Sequence, residues 1–180
     1  MEQSRCRLSR HRWRPKPTPD NWESPATRPF KLQHALSDQC IFCEIIRGES
    51  PASFTHQDDT VVAFMDVQPI THGHMLVAPR DHAILMADLD ETAAMRTFRI
   101  ARRLAAIARQ TLGASGINLF VADGEVAFQD VPHFHVHVIP RYPKDGFGLT
   151  FPPTYDRPPA RAQLDAIAAA IRAAGAATTA

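Results

Sequence analysis

Three histidines alternate with apolar residues in the stretch His133-Phe134-His135-Val136-His137-Val138-Ile139-Pro140-Arg141. Successive side chains of a β-strand point to opposite faces of its sheet, so residues two apart share a face. If 133–139 is a strand, the three imidazoles form a row on one face and the apolar residues pack on the other. Imidazoles titrate near neutral pH, so such a row suits chemistry on an anion. The wet face of an edge strand and a metal site of the His-x-His type are the alternatives that alternation alone leaves open.

The charge of this 180-residue chain is unevenly distributed. Residues 1–37 hold eight of the 20 basic residues, three of the 19 acidic residues and five of the 15 prolines, so they carry +5 and the rest of the chain −4. A basic, proline-rich segment with few apolar residues is typical of a disordered arm. The remainder has no strong positive field, and we expect no nucleic-acid partner.

The hydrophobic pattern predicts an α+β domain over 38–145 and a C-terminal extension over 146–180. About five strands are expected, at 52–56, 60–65, 74–78, 117–121 and 133–139. They should form a mostly antiparallel sheet with helices on one side, namely a short N-terminal helix (41–46), a long central helix (about 91–112) and an Ala-rich C-terminal helix (about 160–174). The predicted apolar stripe of the long helix consists of Met95, Phe98, Ala101, Ala105, Ala108 and Leu112.

The cysteine content argues against a disulfide framework. There are three cysteines, and Cys40 and Cys43 are too close in sequence to connect distant elements, which favours a reducing cytoplasm. No run of 18 apolar residues predicts a membrane span, and no apolar stretch follows the basic N-terminal residues as in a secretory signal. The Cys-x-x-Cys spacing alone is compatible with redox-active, metal-binding or incidental thiols.

Two motifs resemble the signatures of the histidine-triad (HIT) superfamily of nucleotide-binding hydrolases and transferases. Gln129-Asp130-Val131-Pro132 leads into the histidine row and resembles the pattern Gln-x-Val-x-His-x-His-x-His. Upstream, the sequence PITHGHMLV at 69–77 resembles the pattern Pro-x-x-x-Gly-His-x-Leu-Val. The resemblance implies a HIT-like fold and hydrolysis of dinucleoside polyphosphates or nucleoside phosphoramidates. Nucleotidyl transfer to phosphate or a sugar phosphate, and nucleotide binding without catalysis, are the alternatives.

The resemblance also implies roles for individual histidines. It makes His135 the nucleophile that forms a nucleotidyl-histidine intermediate. It places His137 in hydrogen-bonding distance of the phosphate, and His74 at the end of the row, on the neighbouring strand. A purely structural imidazole is the alternative for His74.

Residues for the nucleotide itself follow from the same resemblance. Asp66 matches the family's ligand for the two ribose hydroxyls, and Gln129 matches its amide contact to phosphoryl oxygens. Ile41 and Phe42 would form an apolar slot for the base. A turn-capping role for Asp66 and a core position for the two apolar residues are the alternatives.

One branch of the family binds zinc, and the positions matching its ligands are Cys40, Cys43, His82 and His133. Two thiolates and two imidazoles would make a closed, structural zinc site, and unmetallated thiols are the alternative. The resemblance further implies a homodimer formed through the long helix and a strand edge. The chain departs from the family pattern at Phe128, which is usually glycine, and at Asp130, so the leaving group stays undetermined.

Overall fold

A computed structural model of the protein describes residues 40–178, and the predicted disordered arm of residues 1–37 lies outside them. The strands are β1 (Phe54–Gln57), β2 (Val61–Met65), β3 (Met75–Pro79), β4 (Gly116–Phe120) and β5 (Val136–Arg141). The helices are α1 (Ile41–Arg47), α2 (Glu91–Leu112) and α3 (Arg161–Thr178), and two short 3-10 turns precede α2 and β5. The strands form one sheet in the order β1-β2-β3-β5-β4, and every neighbouring pair is antiparallel. The predicted α+β fold is therefore confirmed.

The histidine row does not lie wholly in a strand, and this part of the prediction is wrong. Strand β5 begins at Val136, so His133 and His135 belong to the loop that leads into it. The backbone N–H of Phe134 donates to the carbonyl oxygen of Ala83 (2.6 Å) instead of joining the strand ladder. The alternation nevertheless survives, because Phe134, Val136 and Val138 are all buried in one core cluster.

Helix α2 has the predicted bounds, because its two ends are capped as the sequence indicates. The Asp90 carboxylate accepts hydrogen bonds from the backbone N–H groups of Thr92 and Ala93, and Gly113 ends the helix with φ +66°. The predicted apolar stripe is wrong in part, because Met95 is 60% exposed and Phe98 is 40% exposed. The buried face consists of Ala93, Thr97, Ile100, Ala101, Leu104 and Ala108.

Both faces of the sheet carry a hydrophobic core, whereas all helices were expected on one side. Helix α2 covers one face, where it packs on Val61, Val77 and Val136 among others. Helix α1 belongs to the cluster on the other face, with Phe64 and Leu76. Side chains in β2 alternate between these two clusters, as a strand buried on both faces requires. The site described below lies on the α1 side.

The described chain divides into two compact units after Asp145. In the second unit, the rings of Phe151 and Tyr155 stack at 4.2 Å between centroids, and α3 exposes Leu164, Ile167 and Ile171. The predicted C-terminal helix is present and runs four residues beyond its expected end at 174. Between residues 40 and 178, none of the helices is long and apolar enough to cross a membrane.

Candidate active site and metal centre

A cleft of about 550 Å³ lies beside α1, over the centre of the sheet. Six of the predicted site residues line it, namely Ile41, Phe42, Asp66, His74, His135 and His137. Its apolar end is formed by α1 and the neighbouring strands, where Phe42 packs edge-on against Phe64 with 5.2 Å between ring centroids. The structure thus brings together the base-slot, ribose and histidine positions in one cavity.

The His135 imidazole is held in one orientation and one tautomer. Its Nδ1 lies 2.7 Å from the carbonyl oxygen of His133, and because a carbonyl only accepts, Nδ1 must carry the proton and donate. Phe42 supports the ring edge-on, at 5.1 Å between centroids. Burial lowers the pKa of His135, with a smaller opposing effect of that hydrogen bond. The neutral ring therefore presents an unprotonated Nε2 at neutral pH.

His74 and His137 form a second pair whose tautomers are set by the backbone. The N–H of Ile70 donates to Nδ1 of His74 (3.2 Å), so the His74 proton is on Nε2, 3.0 Å from Nδ1 of His137. His137 in turn carries its proton on Nε2. Burial lowers the pKa of both rings, and for His137, with the neighbouring His135 and His74 adding to the effect, it reaches about 4. His135 and His137 thus offer the cleft an acceptor and a donor, respectively.

Asp66 directly follows β2 and lines the cleft. One carboxylate oxygen accepts from the N–H of Gln68 (2.8 Å), which is the turn-capping role considered as an alternative. The other lies 3.3 Å from Nδ1 of His74, without the alignment of the bond that this nitrogen accepts from Ile70. The capping bond occupies one oxygen and leaves the second directed at the histidine pair.

Gln129 is the predicted nucleotide ligand that the structure does not bring into the cleft. Its Oε1 accepts from the N–H of Gly124 (2.8 Å), and its Nε2 donates to the carbonyl oxygen of Ile84 (2.7 Å). Both ends of the amide are therefore used to hold the loop before the histidine row. No sequence signal distinguishes this bracing role from a phosphate contact.

Several residues that line the cleft were not assigned there from the sequence. Val67, Gln68 and Ile70 come from the β2–β3 loop, and their position directly after Asp66 is the signal that would have found them. Phe128 and Asp130 also line it. Phe128 is 64% exposed and has φ +70°, a left-handed conformation that favours glycine. The glycine usual at this position in the family is compatible with that backbone.

The four predicted metal ligands lie together in a second cluster, which includes His133. One ligand atom from each of Cys40, Cys43, His82 and His133 lies within 4.8 Å of the others. Nδ1 of His133 is 3.6 Å from both sulfur atoms, and Nδ1 of His82 is 3.3 Å from Sγ of Cys43. Zn–S bonds of about 2.3 Å and Zn–N bonds of about 2.0 Å at tetrahedral angles separate sulfur and nitrogen by roughly 3.5 Å. The spacing therefore fits a tetrahedral zinc ion.

The protonation of His133 supports the same interpretation. Its Nε2 donates to the carbonyl oxygen of Pro79 (2.9 Å), so Nδ1 directs a lone pair at the two sulfur atoms. Burial lowers its pKa to about 4, with His82 and His135 adding to the effect. His82 lacks such a brace, because its Nε2 is buried without a hydrogen-bond partner among the described residues. Neither Cys40 nor Cys43 is in a disulfide.

Comparisons with known proteins agree with this arrangement. A sequence model of the HIT domain matches residues 47–144. An adenylylsulfatase of Arabidopsis thaliana, HINT3, is 35% identical over 113 residues, which are 61% of this chain and 56% of the plant protein. The structure of a HIT family protein from Bacillus anthracis superposes with a TM-score of 0.71 at 35% identity, covering 76% of this chain and 97% of that one.

A further solved structure concerns the metal. It is a zinc-bound histidine triad family protein from Mycobacterium smegmatis, which is 35% identical and superposes with a TM-score of 0.60. The match covers 65% of this chain and 85% of that protein. With the family match over more than half of the sequence, and with His74, His135 and His137 in one cleft, the chain belongs to the HIT family.

Proposed function

We propose that the protein is a nucleotide hydrolase that cleaves dinucleoside polyphosphates or nucleoside phosphoramidates through a nucleotidyl-histidine intermediate on His135. The observation that carries the proposal is the geometry of that ring, which is buried and held through Nδ1, with Nε2 available to the cleft. A nitrogen lone pair of fixed direction is what attack on a phosphorus atom requires. The name of the plant relative, an adenylylsulfatase, also describes hydrolysis of an adenylyl compound.

The reaction proceeds in two displacements. Nε2 of His135 forms a bond to the α-phosphorus, the bond to the leaving group breaks, and the electron pair leaves with that group. The positive charge on the imidazole is shared with the Nδ1–H that donates to the His133 carbonyl. Water then attacks phosphorus, the P–Nε2 bond breaks, and a nucleoside monophosphate and neutral His135 result. A water proton passes to solvent, and an amine leaving group takes its proton from water.

Other residues of the cleft bind and orient the nucleotide. The Nε2–H of His137, whose proton position follows from the chain through His74 to Ile70, donates to a phosphoryl oxygen. The second carboxylate oxygen of Asp66 accepts from the ribose hydroxyls. Ile41 and Phe42 contact the base through apolar surface, so base selectivity is weak. Gln129 acts on the phosphate only by holding its loop.

Trapping of the intermediate tests the function. Protein is mixed with an adenosine 5′-phosphoramidate labelled at phosphorus, quenched, and assayed for acid-labile label. We expect label on the wild type and on His72→Ala, whose exposed ring is outside the cleft lining, and none on His135→Ala. Equal labelling of His135→Ala would refute the nucleophile. Tight nucleotide binding with neither label nor turnover would favour the non-catalytic module, and faster consumption with added phosphate would favour the transferase.

We also propose that Cys40, Cys43, His82 and His133 hold a structural zinc ion. What supports this is the spacing of the four ligand atoms and the zinc-bound relative. When bound, the metal would have all four coordination positions filled by protein ligands. It would fix the backbone two residues before His135 without taking part in the chemistry. Metal-binding thiols have to stay reduced, so we retain the cytoplasm as the compartment. A homodimer is likewise proposed.

A further inference from the structure

The cleft carries negative charge of its own. Asp66 and Asp130 line it, and none of its lining residues in the described chain is lysine or arginine. A polyphosphate leaving group brings several negative charges, and sites for such groups ordinarily supply cations to balance them. The described cleft therefore lacks what a polyphosphate needs beyond the α-phosphate.

The two carboxylates flank the histidine row differently. Asp66 lies against His74, and its charge acts on the His74–His137 pair and on His135. Asp130 lines the cleft from the loop that leads into β5, and its charge acts on His135. A nucleotide with its ribose at Asp66 and its phosphorus at His135 would therefore direct its leaving group toward Asp130.

Asp130 is available to a ligand. Its side chain is exposed, and it makes no hydrogen bond or ion pair with any other residue of the described chain. Phe128, two residues earlier, lines the same cleft and is 64% exposed. A carboxylate and an aromatic face attract the same kind of group, a cation, the first through its charge and the second through the ring quadrupole.

We propose that Asp130 and Phe128 form a leaving-group subsite that accepts an amine carrying a second, positive charge and disfavours polyphosphate. The inference rests on the proposed function and names the substrate class within it. The P–N bond to the amine breaks as described above, with the electron pair on nitrogen and a proton from water. The carboxylate of Asp130 takes no proton in this step, since its role is to attract or repel the departing group by charge.

The experiment compares three adenylyl substrates by release of AMP. The first is the phosphoramidate of 1,4-diaminobutane, whose free end is an ammonium. The second is that of n-pentylamine, which replaces the ammonium with a methyl group of similar size. The third is diadenosine tetraphosphate. The full chain is assayed as wild type, Asp130→Asn and Phe128→Leu. Asp59→Asn, which removes an exposed carboxylate at the β1–β2 turn outside the cleft lining, is the matched control.

In the wild type we expect kcat/KM for the cationic phosphoramidate to exceed that for the neutral one by roughly tenfold. Asp130→Asn should reduce this ratio to about twofold and raise kcat/KM for diadenosine tetraphosphate by roughly tenfold. Phe128→Leu should lower the cationic preference by about threefold. The effect of Asp130→Asn on these kcat/KM values should be smaller at high salt, because an exposed charge is screened. Asp59→Asn should not change kcat/KM for any of the three substrates.

The outcomes separate this inference from the proposed function. If the wild type turns over these substrates but its preference is the same in Asp130→Asn, the subsite is refuted and the hydrolase stands. A wild type that prefers diadenosine tetraphosphate refutes it as well. If the wild type releases no AMP from any of the three substrates, the proposed function itself fails.

Discussion

Three chemically identical side chains in one row have three different environments. His133 donates from Nε2 and aims Nδ1 at two sulfur atoms, whereas His135 donates from Nδ1 and keeps Nε2 for the cleft. His137 accepts at Nδ1 and offers a proton at Nε2. In each case one neighbouring backbone or imidazole atom sets the tautomer. The row was recognisable in the sequence. Pro79 and Ile70, which set the tautomers of His133 and, through His74, of His137, were not, because they lie far from the row in the chain.

The lowered pKa values give a prediction for stability against pH. An unfolded histidine binds a proton below about pH 6.5, whereas folded His137 does so only near pH 4. Between these values the unfolded chain holds more protons, so the free energy of unfolding should fall as the pH falls, and above pH 6.5 this contribution is constant. Denaturant titrations at several pH values should show that the free energy of unfolding falls less steeply with decreasing pH in His137→Gln than in the wild type. The two slopes should differ by at most about 1.4 kcal/mol per pH unit.

Partial exposure of His137 makes the effect smaller than that limit. The difference between the two proteins at pH 7.5 serves as the control, since it reports only the loss of packing and hydrogen bonding. Parallel pH profiles for wild type and His137→Gln would contradict the assigned environment of the ring.

At the scale of elements, the sequence correctly predicted the features that are determined by residues close together in the chain. The ends of α2 agree with the prediction because its caps, Asp90 and Gly113, act within one turn of the helix. The prediction of the buried face of α2 was wrong in part, because that face depends on how the helix packs on the sheet. Thr97 is fully buried there, which its hydroxyl tolerates by donating to the carbonyl oxygen of Ala93. The predicted start of β5 was wrong for a related reason, since the backbone N–H of Phe134 donates to the carbonyl oxygen of Ala83, which is distant in the chain.

Metal removal tests the proposed connection between α1 and the histidine row. We expect about one zinc per chain after desalting, and a loss of several kcal/mol of unfolding free energy with a chelator. Cys43→Ser should contain little zinc and should resemble the chelated wild type, because two ligands come from α1 and its N-terminal flank. Elemental analysis and thermal melting measure the two effects.

Cys6→Ser is the control for the loss of a thiol, and it should keep both metal and stability. Zinc near zero in the wild type, with a melting temperature that the chelator does not change, would reject the metal site.

At the scale of the molecule, the proposed dimer has an available surface. Strand β4 is an edge of the sheet, with Leu119 43% exposed and Phe120 41% exposed, and α2 exposes Met95 and Phe98. Unpaired edges and clustered apolar side chains favour association. Sedimentation at micromolar concentration should show a dimer for the wild type and a monomer for Leu119→Arg. A monomeric wild type would refute the proposal.

The family resemblance predicted more of the site than the residue pattern could. Alternation indicated a histidine face, and the resemblance placed Asp66 and His74 beside it, where the structure has them. It did not predict the hydrogen bonds of Gln129 with Gly124 and Ile84, because they are set by a loop conformation that no motif encodes. The charge of the cleft likewise emerged only when Asp66 and Asp130 were seen to share it.

The strand order has a consequence for synthesis on the ribosome. The central neighbours β3 and β5 are far apart in the chain, and Leu76 pairs with His137 only after α2 and β4 have been made. A nascent chain that stops at the end of β4 contains Asp66 and His74 but neither His135 nor His137. The candidate site is therefore completed late in translation, when the last strand inserts between two that already exist.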